Sequence, residues 1–184
     1  MVFRSALDVV ADFFAARGAQ NDRWAVIGGV ALVAYGLART TIDLDFVVES
    51  AVQDDLIVFL ERKGFATLHR SSGYSNHESA DAIDATMGRI DFVYVGRETA
   101  DSLFAASRWL RGPGGREIRV PSPEHLAALK VQAMANDPAR RASDLADVRF
   151  LLTLPGVDRQ RVRRRDGLAA GNLDRHQGIN RTCA

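Results

Sequence analysis

The sequence holds a single cysteine, Cys183. No internal disulfide can form, which excludes a disulfide-stapled scaffold and suits a reducing cytoplasm. No apolar run approaches the roughly 18 residues that a membrane-spanning helix needs, so no membrane association is expected. The first residues lack a long apolar segment, and Asp8 and Asp12 add charge early in the chain, so a signal peptide is not expected. Histidine is scarce: His69, His77, His125 and His176 share no spacing typical of a zinc site. No internal repeat is visible. Charge of one sign is also lacking, because the chain of 184 residues nets only +1. That near-balance hides an asymmetry. Residues 157–184 carry seven arginines against three aspartates, a local +4, which leaves −3 for the rest. Such a tail either binds nucleic acid by counterion release or is a solvated end with poor order beyond about residue 166.

What is present centres on residues 24–48. An apolar strand over 24–27 runs into Gly28-Gly29, and a helix over 30–37 comes next, ending near Gly36. A polar turn with Arg39, Thr40 and Thr41 leads to Asp43 and Asp45 at the start of a second strand, 44–48. Glycines let backbone approach a ligand closely, and a helix N-terminus favours negative charge. Residues two apart in a strand share a face, so Asp43 and Asp45 project together, about 6–7 Å apart at Cα. Paired carboxylates suit Mg²⁺, a hard cation that takes oxygen ligands and substrate phosphates. A phosphate cradle beside such a pair points to an enzyme that handles a nucleoside triphosphate.

Hydrophobic periodicity supplies the other elements. Helices are expected over 4–17, over 52–63 with Ser50 as N-cap, and over 98–109. Strands are expected over 65–70, 90–95 and 117–120. Residues 71–82 are polar and weakly periodic and read as a loop or short edge hairpin that could rim a pocket. Gly112 to Gly115 form a tight turn. Ser122-Pro123 starts a helix that runs through Met134, Asn136-Asp137-Pro138 breaks it, and a last helix spans 140–154. Strands alternating with helices, then two helices, give an α/β or α+β fold with a small mixed sheet. The expected division is a core over 1–120, a helical part over 121–156 and the basic tail over 157–184.

The order of these parts, Gly-Gly, thirteen residues, then Asp43-Leu44-Asp45 with Arg39-Thr40-Thr41 just upstream, resembles the polymerase-beta-type nucleotidyltransferase superfamily. The spelling is most similar to the AbiEii group of type IV toxin–antitoxin nucleotidyltransferases. The resemblance covers roughly residues 5–155. It implies a small polymerase-beta-like sheet with the site on one edge and a helical C-terminal part closing a cleft. It implies Mg²⁺-dependent transfer of a nucleoside monophosphate from an NTP to an acceptor hydroxyl, on a tRNA end or a protein, with a cognate antitoxin as a further partner. Many relatives read Gly-Ser where this chain has Gly28-Gly29, so one hydroxyl contact to phosphate is missing.

The resemblance also assigns roles. Asp91 is the third carboxylate on a neighbouring strand, with Asp84 as a rival. Lys130, in Leu126-Ala127-Ala128-Leu129-Lys130-Val131-Gln132-Ala133, serves the active site; the bare residue pattern equally allows a lysine snorkelling from an apolar stripe. Asp144 and Asp147 match a late Asp-x-x-Asp motif, in which Asp144 orients the lysine or the nucleotide; the alternative is helix-start charge favoured by the dipole. Arg39 and Thr41 flank the acidic pair, Arg39 either contacting phosphate or lying at a surface turn. Arg140 and Arg141 read as exposed. Two other functions fit the motifs: a small-molecule, antibiotic-type adenylyltransferase, and a non-catalytic nucleotide-binding or antitoxin-like module.

Overall fold

The computed structural model describes residues 2–18, 22–41, 43–79 and 89–160. Asp84, Ile42, Cys183, His176 and most of the basic tail lie outside them. The chain divides into two compact units, Met1–Pro121 and Ser122–Ala184.

The first unit is a mixed α/β body. Its helix α1, Val2–Ala16, buries Leu7, Val10, Phe13 and Phe14, recurring at helical spacing. Strand β1, Trp24–Val26, leads to α2, Gly28–Ala34, and β2, Leu44–Glu49. A 3-10 turn at Ser50–Val52 precedes α3, Gln53–Arg62. Ser50 therefore sits inside that turn, and the start of α3 carries no side-chain cap. Strands β3, Phe65–Arg70, β4, Tyr74–Ser79, and β5, Arg89–Val95, come next. Helix α4, Arg97–Ala105, and the strands β6, Arg108–Arg111, and β7, Glu117–Val120, complete the unit.

Five strands form one sheet in the order β1-β2-β5-β4-β3, with β2 and β5 parallel and the other pairs antiparallel. The parallel pair puts the two strongest apolar strands at the centre. On one face Phe46 stacks on Phe92 at 5.3 Å, and Trp24 links Phe46 to Phe14 of α1. Phe13 of α1 meets Phe59 of α3. The aromatic core therefore lies under α1 and α3, and alternation sends Asp45 and Asp91 to the opposite face.

Of residues 71–82, expected as a loop or short edge hairpin, Tyr74–Ser79 is a strand that forms the edge hairpin with β3 and pairs with β5 on its other side. Its sequence reads as polar because its core-facing side chains are Ser75 and His77, both fully buried. The helix expected over 98–109 ends at Ala105, with the Ser107 hydroxyl donating to Leu103 O at 2.8 Å. Arg108–Arg111 then pairs with β7 as a separate two-stranded ribbon.

The buried polar pair in β4 is satisfied by a chain of hydrogen bonds. Thr67 Oγ1 donates to Glu61 Oε1 at 2.9 Å, so its lone pair is left for His77 Nδ1–H at 3.2 Å. His77 Nε2 then accepts from Ser75 Oγ at 2.8 Å, and Ser75 Oγ accepts from Tyr94 Oη at 2.7 Å. Every donor in this chain is used with histidine neutral, and a second ring proton would face the Ser75 donor. Burial pushes the His77 pKa down from 6.5 to about 4. Between those values the unfolded chain takes up a proton that the folded chain refuses. Stability is therefore full above pH 6.5 and declines as pH falls, by about 3 kcal/mol once below pH 4. Urea midpoints should drop over this range, and His77→Gln should flatten the dependence. An unchanged slope in that variant assigns the acid sensitivity to other groups.

The second unit holds α5, Pro123–Asn136, a 3-10 turn at Pro138–Arg140, and α6, Arg141–Leu151. Proline at the first position of α5 costs no hydrogen bond. The Ser122 hydroxyl at its N-cap bonds His125 Nδ1 at 2.9 Å instead of a backbone N–H. Among the described residues no helix is long and apolar enough to cross a membrane.

Candidate active site

Gly28 and Asp45 fix the first part of the site. Ile27 N donates to Asp45 O at 2.8 Å, tying the end of β1 to the start of β2. Gly28 has φ +63°, which glycine adopts at no steric cost. A Cβ at Gly28 would overlap the Asp45 carboxylate, so that carboxylate lies against bare backbone. A Cβ at Gly29 would stand 2.6 Å from Thr41 Oγ1. The two glycines are thus needed by Asp45 and Thr41, besides any need of a ligand. Thr41 Oγ1 donates to Asp43 O at 3.3 Å, holding the turn that delivers the acidic pair.

Strand register supplies the second part. Asp45 on β2 is the direct partner of Asp91 on β5, and Asp91 is the partner of Asn76 on β4. The three side chains form a row across one sheet face. Arg89 and Tyr74, each two residues from a member of the row, share that face. Arg89 Nη2 lies 2.8 Å from Asp91 Oδ2. Its hydrogen bond to Asp91 raises the Arg89 pKa, with Asp43 adding to the effect. Burial, followed by the charge of Asp91 and a hydrogen bond to it, pushes the Tyr74 phenol up to about 12. Asp91 Oδ1 and Asn76 Oδ1 are both buried without a hydrogen-bond partner.

Of the residues read as metal ligands, Asp45 and Asp91 are side by side and Asp43 stands just ahead of β2. Among the described residues no group of three or more His, Cys, Asp or Glu gathers closely enough to hold a metal ion. Arg39 is exposed on the turn before β2. Arg89, Tyr74 and Asn76 escaped the sequence reading. The period of two that gathers them is visible once 74–79 is recognised as a strand.

The second unit builds its own charged cluster. Lys130 Nζ on α5 is 2.7 Å from Asp144 Oδ1 and 2.9 Å from Asp147 Oδ2 on α6. All three are largely buried, with side-chain exposures of 14%, 2% and 7%. Lys130 therefore does not snorkel. Asp144 turns its charge to Lys130, and Arg140 Nε approaches its other oxygen at 3.6 Å. Arg140 and Arg141 are exposed.

A family model described as the nucleotidyl transferase AbiEii toxin of type IV toxin–antitoxin systems matches residues 12–181. No curated protein matches the chain. Among solved structures, the solution structure of the antibiotic-resistance factor ANT(2'')-Ia aligns with a TM-score of 0.62 at 16% identity, covering 96% of this chain and 98% of that one. A crystal structure of ANT(2")-Ia in complex with adenylyl-2"-tobramycin gives 0.58 at 15% identity, over 91% and 99%. An antigenic nucleotidyltransferase-like protein from Paracoccidioides brasiliensis gives 0.50 at 16% identity, over 92% and 87%. At these identities the likeness is one of fold, a nucleotidyltransferase fold.

Proposed function

This chain belongs to the AbiEii nucleotidyltransferase family, and we propose that it moves a nucleoside monophosphate from an NTP to a hydroxyl of RNA, as a toxin restrained by a cognate antitoxin in the cytoplasm. The observation that carries the site assignment is the Asp45–Asp91 register pair lying against Gly28, with Asp91 Oδ1 buried and unpartnered. Those oxygens fit a hard divalent cation, and Asp45 and Asp91, with Asp43 beside them, would hold Mg²⁺. Bound there, such an ion supplies charge neutralisation of the triphosphate and polarisation of its α-phosphorus.

The chain's own residues do the rest. The backbone at Gly28-Gly29, where α2 begins, takes the phosphate tail. Arg39 and Thr41 flank the tail. Asp91 Oδ1 accepts the proton of the attacking hydroxyl as its oxygen bonds the α-phosphorus. The α–β bridging bond breaks and pyrophosphate leaves. Lys130, fixed by Asp144 and Asp147, serves nucleotide use. Most of the rate comes from positioning and charge placement.

RNA is favoured as acceptor by the +4 of residues 157–184. The rival reading is an antibiotic-type adenylyltransferase, which a narrow pocket rimmed by residues 71–82 would favour. Incubation with each α-labelled NTP and total tRNA tests the proposal: label should enter RNA. Label on a small hydroxyl compound instead overturns the acceptor. Triphosphate binding with no transfer to any acceptor overturns catalysis and leaves a binding module.

A further inference from the structure

Asp91 is 8% exposed, yet one of its oxygens has a charged partner and the other has none. The partner, Arg89, sits at the solvent edge with 43% of its side chain exposed. An arginine keeps its charge at any physiological pH, and its guanidinium fork matches a phosphate as well as it matches a carboxylate. Arg89 is also within the field of Asp43, directly across the mouth of the β2–β5 pair. A cation held by Asp45 and Asp91 would therefore meet a positive group already bound to Asp91.

We infer that Arg89 is the internal counter-ion of the acidic site: it neutralises Asp91 before the nucleotide binds, competes with the divalent cation for it, and passes to the triphosphate when the two enter together. The inference rests on the nucleotidyltransferase reading of Asp45 and Asp91. It gives Arg89 two opposed effects on binding. Removing its charge frees Asp91 for the cation and takes one contact from the triphosphate. A purely structural arginine would produce neither.

Mn²⁺ binding to the nucleotide-free full chain, monitored by electron paramagnetic resonance, separates these cases. Arg89→Gln should tighten Mn²⁺ binding about five- to tenfold and weaken binding of a non-hydrolysable triphosphate by a similar factor, on the scale of one part-exposed charge pair. Arg89→Lys, which keeps the charge, should stay near the parent value for Mn²⁺. On the unmutated chain, Mn²⁺ should speed phenylglyoxal labelling of Arg89, read by mass spectrometry. Mn²⁺ affinity equal or weaker in Arg89→Gln overturns the counter-ion role, as does Arg89→Lys tightening as much as Arg89→Gln, or Arg89 labelling indifferent to Mn²⁺. Asp45→Asn distinguishes the two levels of the argument. If it removes Mn²⁺ binding while Arg89→Gln changes nothing, only the counter-ion falls. If the parent chain binds no Mn²⁺ that depends on Asp45, the site assignment falls and the counter-ion with it.

Discussion

Asp45→Asn should lower nucleotidyl transfer at least about 100-fold, the scale of losing one preorganised charge at a phosphoryl centre, with the fold retained. Asparagine fills the same volume, so the packing of residue 45 on Gly28 survives. Asp45 is also only partly buried, on the face opposite the aromatic core, so the substitution leaves that core intact. What disappears is the negative charge beside Asp91. Transfer of label from the NTP would fall, and the calorimetric melting temperature would stay within a few degrees of the parent. Full activity in this variant, or in excess chelator, would remove Asp45 from the chemistry and end the metal-dependent reading.

Much of this site was legible because two of its constraints are local. Gly28 and Asp45 read as partners across a strand–helix–strand sequence, and the structure gives that reading a steric reason, since no side chain fits between them. The central strands were legible because Phe46, Val47 and Val48, and Ile90 and Phe92, are apolar on whichever face meets the core. What remained hidden was held by non-local satisfaction. β4 carries Ser75 and His77 where an interior strand normally carries valine or isoleucine. Only the hydroxyls of Thr67 and Tyr94, brought in by β3 and β5, make that tolerable. With 71–82 left between a loop and a hairpin, the outward residues Tyr74 and Asn76 had no assigned face, and the cluster around Asp91 could not be assembled. β6 was hidden differently: the helical pattern of 97–105 continues smoothly into Arg108–Arg111, and the pairing with β7 decides the boundary. The two readings of Lys130 were equal in sequence because an apolar stripe says nothing of what faces it. Two buried carboxylates on α6 decide between them.

Those carboxylates also change what a substitution at Lys130 measures. On sequence grounds Lys130→Ala is expected to weaken nucleotide use far more than it lowers the melting temperature. With Asp144 and Asp147 buried around its ammonium, removing the lysine takes away the cation that both carboxylates share in low dielectric. Breaking a buried ion pair from one side costs about 3–5 kcal/mol, whereas replacing the whole group by apolar residues of similar size is often neutral. Lys130→Met should therefore lower both stability and transfer, and activity alone cannot separate the causes. The triple variant Lys130→Met, Asp144→Leu, Asp147→Leu separates them. It should regain most of the lost stability in urea denaturation, because the two buried carboxylates leave together with the ammonium that they share. If Lys130 serves the nucleotide, transfer in the triple variant stays at the level of Lys130→Met despite the restored fold. Recovery of transfer along with stability would show that Lys130 only braces the helical pair.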